Sequence, residues 1–363
     1  MQTGIVGLPF SGKSTLFSTL LAHAHIPHDE SSRHKQETER GVVKVPDQRL
    51  DQLTKIFQPK KQVNATIEFI KVPGLDKEKH QGKGLPPQFL ANTKSVELIL
   101  VMVRAFENEL FPHPLGKVDP WRDINFIESE FLLTDLAIAE NRIDKLEKLI
   151  QKTQLDKDKR ELQVLQRCKK FLDDEHPLRD LGLAGQDEFL IRSYQFLSLK
   201  PVLFVLNIAE SEIKNSMQIE NEIKTRLKTH CGVVALSAEI EKEIAQLGPE
   251  DVQAFLNDLQ ISEPALLKVI HAAYKLLGLH SFFTFGEDEC RAWPFPAGMQ
   301  AQQAAGLIHS DLEKGFIRAE VIPAQELIKL GSEAACKEKG FYKLEGKEYK
   351  VQDGDILTIR FNV

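Results

Sequence analysis

The residues best suited to chemistry stand near the start of the chain, where Gly-Leu-Pro-Phe-Ser-Gly-Lys-Ser fits the pattern G-x-x-x-x-G-K-[ST]. In this pattern the glycines let successive backbone N–H groups wrap a β-phosphate, and Lys13 brings its charge to the β and γ oxygens. The hydroxyl of Ser14 is placed to bind Mg²⁺. The sequence therefore predicts a nucleotide-binding loop made by Gly7, Leu8, Pro9, Phe10, Ser11, Gly12, Lys13, Ser14 and Thr15.

A second chemical position follows the apolar run ATIEFIKV, in the loop that begins Lys71-Val72-Pro73-Gly74. Nucleotide hydrolases usually carry an aspartate here, on the magnesium side, as Asp-x-x-Gly. At about 4 Å and an effective dielectric of about 20, an ammonium and Mg²⁺ repel each other by about 8 kcal/mol. Lys71 therefore turns away, takes over part of the metal's role at the phosphates, or lies inert at the strand end. We expect Lys71 and Gly74 at the nucleotide, weakened Mg²⁺ binding and slow turnover; Asp76 is a less favoured substitute carboxylate.

Two later stretches are expected to read the base. Asn207-Ile208-Ala209-Glu210 ends the strand PVLFVLN, and Ser237-Ala238 ends the strand CGVVAL. Doubly wound sheets bind their ligands at the carboxyl ends of the strands, so Asn207, Ile208, Glu210, Ser237 and Ala238 are predicted to contact the nucleotide. A GTPase normally shows Asn-Lys-x-Asp, whose carboxylate pairs with guanine. Ile208 and Glu210 stand in place of its lysine and aspartate, which argues against guanine selection.

The elements that must position these residues follow from the hydrophobic pattern. TGIVG, ATIEFIKV and the β-branched run VELILVMVRAF predict buried parallel strands, and the leucines of LFSTLLAHA predict a helix after the first strand. From 123 to 199, apolar residues at helical spacing on both sides of the turn QLDKDK predict an antiparallel helical hairpin, a small coiled coil. The strand pattern resumes at KPVLFVLN, so the hairpin is an insertion.

The last 85 residues or so show short strands, one predicted helix over Met299–Ser310, and a closing hairpin. This pattern is typical of an α+β module of ubiquitin-like size. The predicted fold class is α/β, a doubly wound P-loop sheet with an inserted helical hairpin and a C-terminal α+β domain. The predicted boundaries are 1–122 and 200–278 for the two parts of the nucleotide-binding domain, 123–199 for the hairpin, and 279–363 for the last domain.

Composition restricts the function further. The chain has 363 residues, 42% of them hydrophobic, and a net charge of −6, which argues against bulk electrostatic attachment to nucleic acid. Residues 1–120 carry 16 Lys and Arg against 13 Asp and Glu, so an anionic ligand is expected on the N-terminal part. The four cysteines are scattered, no apolar run approaches a membrane span, and the first residues do not resemble a signal peptide. We expect a cytoplasmic protein with reduced thiols and no membrane partner.

The order of several motifs resembles the YchF-type Obg-like ATPases. The matching stretches are GLPFSGKST, GVVKVPDQRLDQL, EFIKVPGL, KPVLFVLNIAE, SAEIEKE, LLGLHSFFTFG, CRAWPFPAGMQAQQAAGLIHSDLEKGFIRAEVI and DGDILTIRFNV. The resemblance covers nearly the whole chain. It implies a coiled-coil insertion, a C-terminal TGS domain of the β-grasp fold, a preference for ATP over GTP, and association with ribosomes or other translation and stress machinery.

The resemblance also assigns residues. The family's Asn-x-x-Glu and Ser-Ala motifs fall on the base-reading stretches named above, and a loop histidine that assists hydrolysis falls on His113, which with Lys13 forms the predicted catalytic set. Phe10 and Ser11 replace the family's Asn-Val, and Lys71 replaces its aspartate. The segment before GVV has no counterpart in SSRHKQETER, where Thr38 is a poor candidate for the switch threonine. Leu75 is family-like, a hydrophobic residue where other GTPases orient water.

Two functions remain open. The first is a slow ATPase that acts as a conformational switch, and the second is a non-hydrolysing, nucleotide-sensing adaptor that docks through the helical arm and the TGS domain. A small-molecule kinase is disfavoured because no acceptor pocket is identifiable. ATP or GTP is the expected ligand, with Mg²⁺, and a monomer is favoured. In the TGS-like stretch, His309, Asp311, Lys314 and Arg318 are either a contact face for RNA or protein or ordinary helix-end residues.

Overall fold

The computed structural model describes residues 1–23, 39–75, 85–227 and 231–362. The chain divides into two compact units, one made of Met1–Val43 with Glu68–Leu276 and the other of Lys44–Ile67 with Leu277–Val363. Thr38 and Asp76 lie outside the described residues. Within the part of the chain that the structure describes, no helix is both long enough and apolar enough to cross a membrane.

The described residues form twelve β-strands, which are distributed over the two units. In chain order they are β1 (Gln2–Gly7), β2 (Glu39–Lys44), β3 (Lys61–Val63), β4 (Thr66–Lys71), β5 (Leu98–Ala105), β6 (Val202–Ile208), β7 (Cys231–Leu236), β8 (Leu279–Phe285), β9 (Glu289–Pro296), β10 (Phe316–Pro323), β11 (Lys343–Glu345) and β12 (Asp355–Phe361).

The α-helices alternate with groups of these strands along the chain. In chain order they are α1 (Lys13–His23), α2 (Gln48–Phe57), α3 (Pro87–Ser95), α4 (Pro120–Thr153), α5 (Asp156–Asp173), α6 (Gln186–Ile191), α7 (Ser216–Lys224), α8 (Ala238–Ile244), α9 (Pro249–Leu259), α10 (Ala265–Leu276), α11 (Ala301–Ile308), α12 (Ser310–Lys314), α13 (Ala324–Leu330) and α14 (Glu333–Glu338).

The first unit is built on a sheet with strand order β2-β4-β1-β5-β6-β7, in which the pairs β4–β1, β1–β5, β5–β6 and β6–β7 are parallel. All seven residues of β6 are buried, as are the first seven of β5. Continuous apolar runs of this kind are what a parallel sheet covered on both faces requires. The predicted doubly wound sheet is confirmed, and it brings the ends of β1, β5, β6 and β7 to one edge.

The predicted helical hairpin is formed by α4 and α5. Helix α4 begins where Asp119 accepts a hydrogen bond from the Arg122 backbone N–H, with Pro120 at the first helical position, and it runs for 34 residues. The two helices bury a common apolar core. Asp135 on α4 accepts the backbone N–H groups of Leu197 (2.8 Å) and Ser198 (2.7 Å) just before β6. This contact joins the hairpin to the returning strand, and burial raises the pKa of Asp135 to about 6.

The second unit holds a mixed sheet with strand order β11-β10-β12-β8-β9-β3. The helix predicted over Met299–Ser310 is α11, and a short second helix, α12, follows it. The predicted division differs at one segment, because it assigns residues 44–67 to the nucleotide-binding part. In the structure this segment belongs to the second unit: β3 pairs in parallel with β9, and Phe57 stacks on Phe285 with 3.9 Å between ring centroids. These partners lie more than 200 residues away in the sequence.

Candidate nucleotide-binding site

The phosphate-binding loop connects β1 to α1 and depends on two glycines. Gly7 has φ +150°, and a Cβ there would lie 2.4 Å from the carbonyl oxygen of Met102. Gly12 has φ +98°, and a Cβ there would lie 2.3 Å from Nδ2 of Asn207. Both positions therefore exclude side chains, because the loop approaches β5 and β6 too closely. The loop ends at Lys13, where α1 begins and its N-terminal N–H groups face an incoming anion.

The side chain of Lys13 folds back onto the loop that precedes it. Its Nζ donates hydrogen bonds to the carbonyl oxygens of Gly7 (2.9 Å) and Leu8 (2.7 Å). Burial, and to a smaller extent the charge of Lys71, lower the pKa of Lys13 to about 8. The loop after β4 lies against the Lys13 ammonium, because a Cβ on Gly74 would be 3.2 Å from Nζ. The Leu75 N–H also donates a hydrogen bond to the Gly7 carbonyl oxygen at 3.3 Å. A phosphate would supply the anion that this buried cation favours.

Lys71 contacts the neighbouring strand β2, which agrees with the predicted alternative in which it turns away from the metal. It lies opposite Ile5 in the β1–β4 register, and its Nζ forms an ion pair with the Glu39 carboxylate at the start of β2. The ammonium also lies 5.8 Å from the centroid of the Phe17 ring. Lys71 does not line the cavity described below.

A cavity of about 640 Å³ opens at the strand edge beside the loop. That volume suits a nucleotide-sized ligand. Among the predicted residues, those that line it are Phe10, Ser11, Gly12, Lys13, Ser14, Thr15, Asn207, Ile208, Glu210, Ser237 and Ala238. Gly7, Leu8, Pro9, Lys71, Gly74 and His113 do not line it.

Asn207 joins the two predicted halves of the site. Its Nδ2 donates to the carbonyl oxygen of Ser11 at 3.1 Å, and its Oδ1 accepts the Ala238 N–H at 3.0 Å. The side chain is buried, so both ends of the amide are used to connect the phosphate-binding loop to the start of α8. Asn207 therefore positions both loops. Glu210 is exposed at the mouth of the cavity, in the turn that follows β6.

Comparisons with known proteins agree with this geometry. A family model described as 50S ribosome-binding GTPase matches residues 2–208, and a model for the C-terminal domain of YchF GTPases, described as a protein of unknown function, matches residues 279–362. The ribosome-binding ATPase YchF of Bacillus subtilis is 41% identical over all of both chains. The chain belongs to the YchF family.

Other YchF proteins extend the comparison. The ribosome-binding ATPase YchF of Haemophilus influenzae is 42% identical over 100% of this chain and 99% of its own. The structure of the Schizosaccharomyces pombe YchF GTPase superposes with a TM-score of 0.85 at 29% identity, over 99% of this chain and 97% of that one. The predicted family and fold class are confirmed.

His113 differs from its prediction. The Pro-flanked loop predicts a position outside the core, but the side chain is almost fully buried. Nδ1 accepts the Leu115 N–H at 3.1 Å, and Nε2 lies 2.8 Å from Oδ2 of Asp123 on α4. Neither Nε2 nor Oδ2 makes a hydrogen bond of acceptable geometry to any of the described residues. Nδ1 thus helps to hold the loop while the ring is buried against Asp123, and a role in hydrolysis stays a prediction that requires His113 to leave Asp123.

Sequence reasoning missed the residues at the end of β5 and just after it that form one side of the cavity. Arg104, Phe106, Asn108 and Phe111 all line the cavity. Arg104 is only 2% exposed, and its guanidinium donates to the carbonyl oxygens of Phe106 (3.0 Å) and Phe111 (2.7 Å). It also lies 4.7 Å from the Phe106 ring centroid. The available signal was an arginine at the carboxyl end of an otherwise apolar strand, because a buried charge there needs nearby acceptors.

The residues near the loop are compatible with a Mg²⁺ ion that binds together with the nucleotide phosphates. Within the described residues no cluster of three or more His, Cys, Asp or Glu side chains is arranged to hold a metal. Ser14 offers its hydroxyl at the start of α1, while the carboxylate of Glu39 is paired with Lys71. Mg²⁺ commonly keeps several waters and binds substrate phosphates with few protein ligands.

The four residues of the predicted contact face in the second unit are all exposed, and three of them lie in or next to α12. His309 accepts the Asp311 N–H through Nδ1 at 3.2 Å and so caps α12, which ends at Lys314. Arg318 is exposed on β10. These contacts account for His309 and Asp311 as helix-end residues.

Proposed function

We propose that this protein is an ATP-binding switch that hydrolyses ATP slowly and acts on ribosomes. The observation that carries the proposal is the cavity at the strand edge, where the phosphate-binding loop and the start of α8 are joined through Asn207. Backbone N–H groups and Lys13 would bind the phosphates, while the residues after β6 and β7 would enclose the base.

The choice of base follows from the residues after Asn207. Guanine recognition in GTPases uses a carboxylate three residues after the asparagine and a lysine beside it. Here Ile208 is buried and apolar, and the longer Glu210 is exposed in a turn. This arrangement supports binding of ATP at least as tightly as GTP. Titration of the full chain with ATP and GTP, with and without Mg²⁺, tests the proposal, and a clear preference for GTP would contradict it.

The chemistry assigned to the chain's own residues is positioning and charge neutralisation, which dominate phosphoryl transfer. Lys13 would move from the carbonyls of Gly7 and Leu8 to the phosphate oxygens. Ser14 would hold Mg²⁺, which when bound neutralises charge on the phosphates. Leu75 is buried beside the loop and has no group that could orient water, which supports slow turnover.

Ribosome association is proposed because the curated relatives with about 41% identity over the full chain are named ribosome-binding ATPases. Such association would place the protein in the cytoplasm. Cosedimentation of the full chain with purified ribosomes, with ATP, with ADP and without nucleotide, tests it. Nucleotide-dependent cosedimentation is expected, and none under any condition would contradict the proposal.

The adaptor function has support of its own. His113, one of the two predicted catalytic residues, is buried against Asp123, and Lys71 stands in place of the aspartate on the magnesium side and is paired with Glu39. Multiple-turnover ATP hydrolysis, measured with and without ribosomes, separates the two functions. The switch requires turnover above the uncatalysed rate in at least one condition, whereas the adaptor requires binding without turnover.

A further inference from the structure

Two aromatic rings stand exposed at the cavity and contact each other. The rings of Phe10 and Phe111 are stacked, with centroids 5.4 Å apart and an angle of 29° between planes. Phe10 is 55% exposed and Phe111 is 50% exposed, although both are large hydrophobic residues. Both line the cavity beside the phosphate-binding loop. Exposed apolar surface concentrated in one place is typical of a binding site.

The backbone of Phe10 supports the same interpretation. Its φ is +60°, in the left-handed region that bulky side chains rarely adopt, at a cost of about 1–2 kcal/mol. Backbone strain of this kind is common at ligand-binding positions. The strain directs the ring out of the loop and onto Phe111.

Neighbouring contacts hold both rings in place. Phe10 directly precedes Ser11, whose carbonyl is bound by Asn207. The Phe111 carbonyl is bound by Arg104, and its N–H donates to the Asn108 side chain at 3.3 Å. The pair is therefore attached to two rigid strand ends, and little conformational entropy would be lost when a ligand packs on it.

The cavity that the two rings line contains both predicted ends of a nucleotide site. Gly12 and Lys13, whose N–H groups suit phosphates, line it together with Ile208 and Ser237 of the predicted base side. In a nucleotide the ribose lies between the phosphates and the base. We propose that Phe10 and Phe111 form an aromatic wall that packs on the nucleoside part of the bound nucleotide, against the ribose and the adjoining base face. This proposal rests on the proposed function.

An aromatic surface does not distinguish adenine from guanine, because both have a π-face. The wall should therefore add affinity for any purine nucleotide and leave the choice between them to the residues after Asn207. It should add nothing for tripolyphosphate, which has phosphates but no nucleoside.

The test is calorimetric titration of the full chain with ATP and with tripolyphosphate. Phe111→Ala and Phe10→Ala should each weaken ATP binding by about tenfold, within the range measured for stacking contacts, and leave tripolyphosphate binding unchanged. Phe111→Trp should restore ATP binding. Phe189→Ala is the matched control, since Phe189 is 74% exposed on α6 and does not line the cavity.

Three results would overturn the proposed aromatic wall and leave the proposed function intact. Equal weakening of ATP and tripolyphosphate would mean that the rings only shape the phosphate-binding loop. No change for either ligand would mean that they do not touch the nucleotide. Loss of ribosome cosedimentation with ATP affinity intact would mean that they contact a macromolecule instead. Failure of the wild-type chain to bind either ligand would overturn the proposed function itself, and the wall with it.

Discussion

The two ends of the cavity are held in different ways. At the base end, Asn207 uses neutral hydrogen bonds to join two loops, and its donor and its acceptor are both satisfied. At the phosphate end, Lys13 is a buried cation bound to carbonyl oxygens, and burial lowers its pKa to about 8. A neutral pair costs little to bury, whereas a buried charge is costly until an anion accompanies it. The base end is therefore organised in advance, and the phosphate end gains most from the ligand.

The largest effect should come from Lys13→Met. We expect ATP affinity to fall about a thousandfold, because two charge-assisted hydrogen bonds to the phosphates contribute roughly 1.5–3 kcal/mol each. Lys152→Met, at an exposed position on α4, is the control and should bind ATP as the wild type does. A loss of less than tenfold, measured by calorimetry, would mean that the amide cradle binds the phosphates without the lysine.

The same lysine should give the unliganded protein a distinctive pH dependence. Its folded pKa of about 8 lies below the ordinary value of 10.5, so between these values the unfolded state binds more protons. Relative to Lys13→Met, the free energy of unfolding of the wild type should rise by about 3 kcal/mol as the pH increases through this window. Below pH 8 Lys13 is charged in both the folded and the unfolded state, so the full cost of burying its charge is present there. Burial also lowers the pKa of Lys200 to about 8, so only the difference between wild type and variant isolates Lys13. Parallel curves for the two proteins in urea unfolding would contradict the prediction.

Asn207→Ala tests the base end. Removing the amide leaves the Ser11 carbonyl and the Ala238 N–H without their partner, at a cost of about 2–3 kcal/mol of unfolding free energy. We also expect weaker ATP binding, since the two loops lose their connection. Asn215→Ala removes an exposed hydrogen bond to Glu212 and should change stability by less than about 0.5 kcal/mol. If both variants unfold at the same urea concentration, Asn207 is not what organises the site.

The loop around His113 should behave as a structural element. Because His113 and Asp123 are buried against each other, His113→Ala should cost about 2 kcal/mol of stability. A double-mutant cycle with Asp123→Asn measures whether the two residues are coupled. A role in hydrolysis would appear as lower turnover with unchanged ATP affinity, compared at equal fractions of folded protein. A coupling energy near zero would mean that the buried pair does not hold this loop.

The smallest effect on stability should come from Lys71→Asp. The ion pair with Glu39 is partly exposed, so its loss alone should cost less than about 1 kcal/mol, although two adjacent carboxylates add some repulsion. We expect ATP binding to become more dependent on Mg²⁺, because an ammonium is exchanged for a carboxylate next to the phosphate end. Lys152→Asp makes the same charge change on α4. If wild type already depends strongly on Mg²⁺ and the variant does not differ, Lys71 is electrostatically remote from the phosphates.

Local sequence determined the elements and much of the site. The spacing of Gly7, Gly12 and Lys13 specifies a phosphate-binding turn between a strand and a helix, since the whole motif lies within one short segment. The apolar runs of β5 and β6 specify buried parallel strands, and helical spacing after Asp119 specifies the long hairpin. Strand ends also predict that the stretches after β6 and β7 lie beside the loop, because parallel strands all present their carboxyl ends at one edge.

Contacts between distant segments were decided by the tertiary structure alone. Lys71 is a charged strand-end residue in the sequence, and only the fold pairs it with Glu39. His113 lies in an irregular loop, yet the fold buries its ring 2.8 Å from the Asp123 carboxylate on α4. Residues 44–67 join the second unit through partners more than 200 residues away. A sequence pattern reports the periodicity of one segment, whereas the partner of a buried polar group depends on which segments the fold brings within about 3 Å.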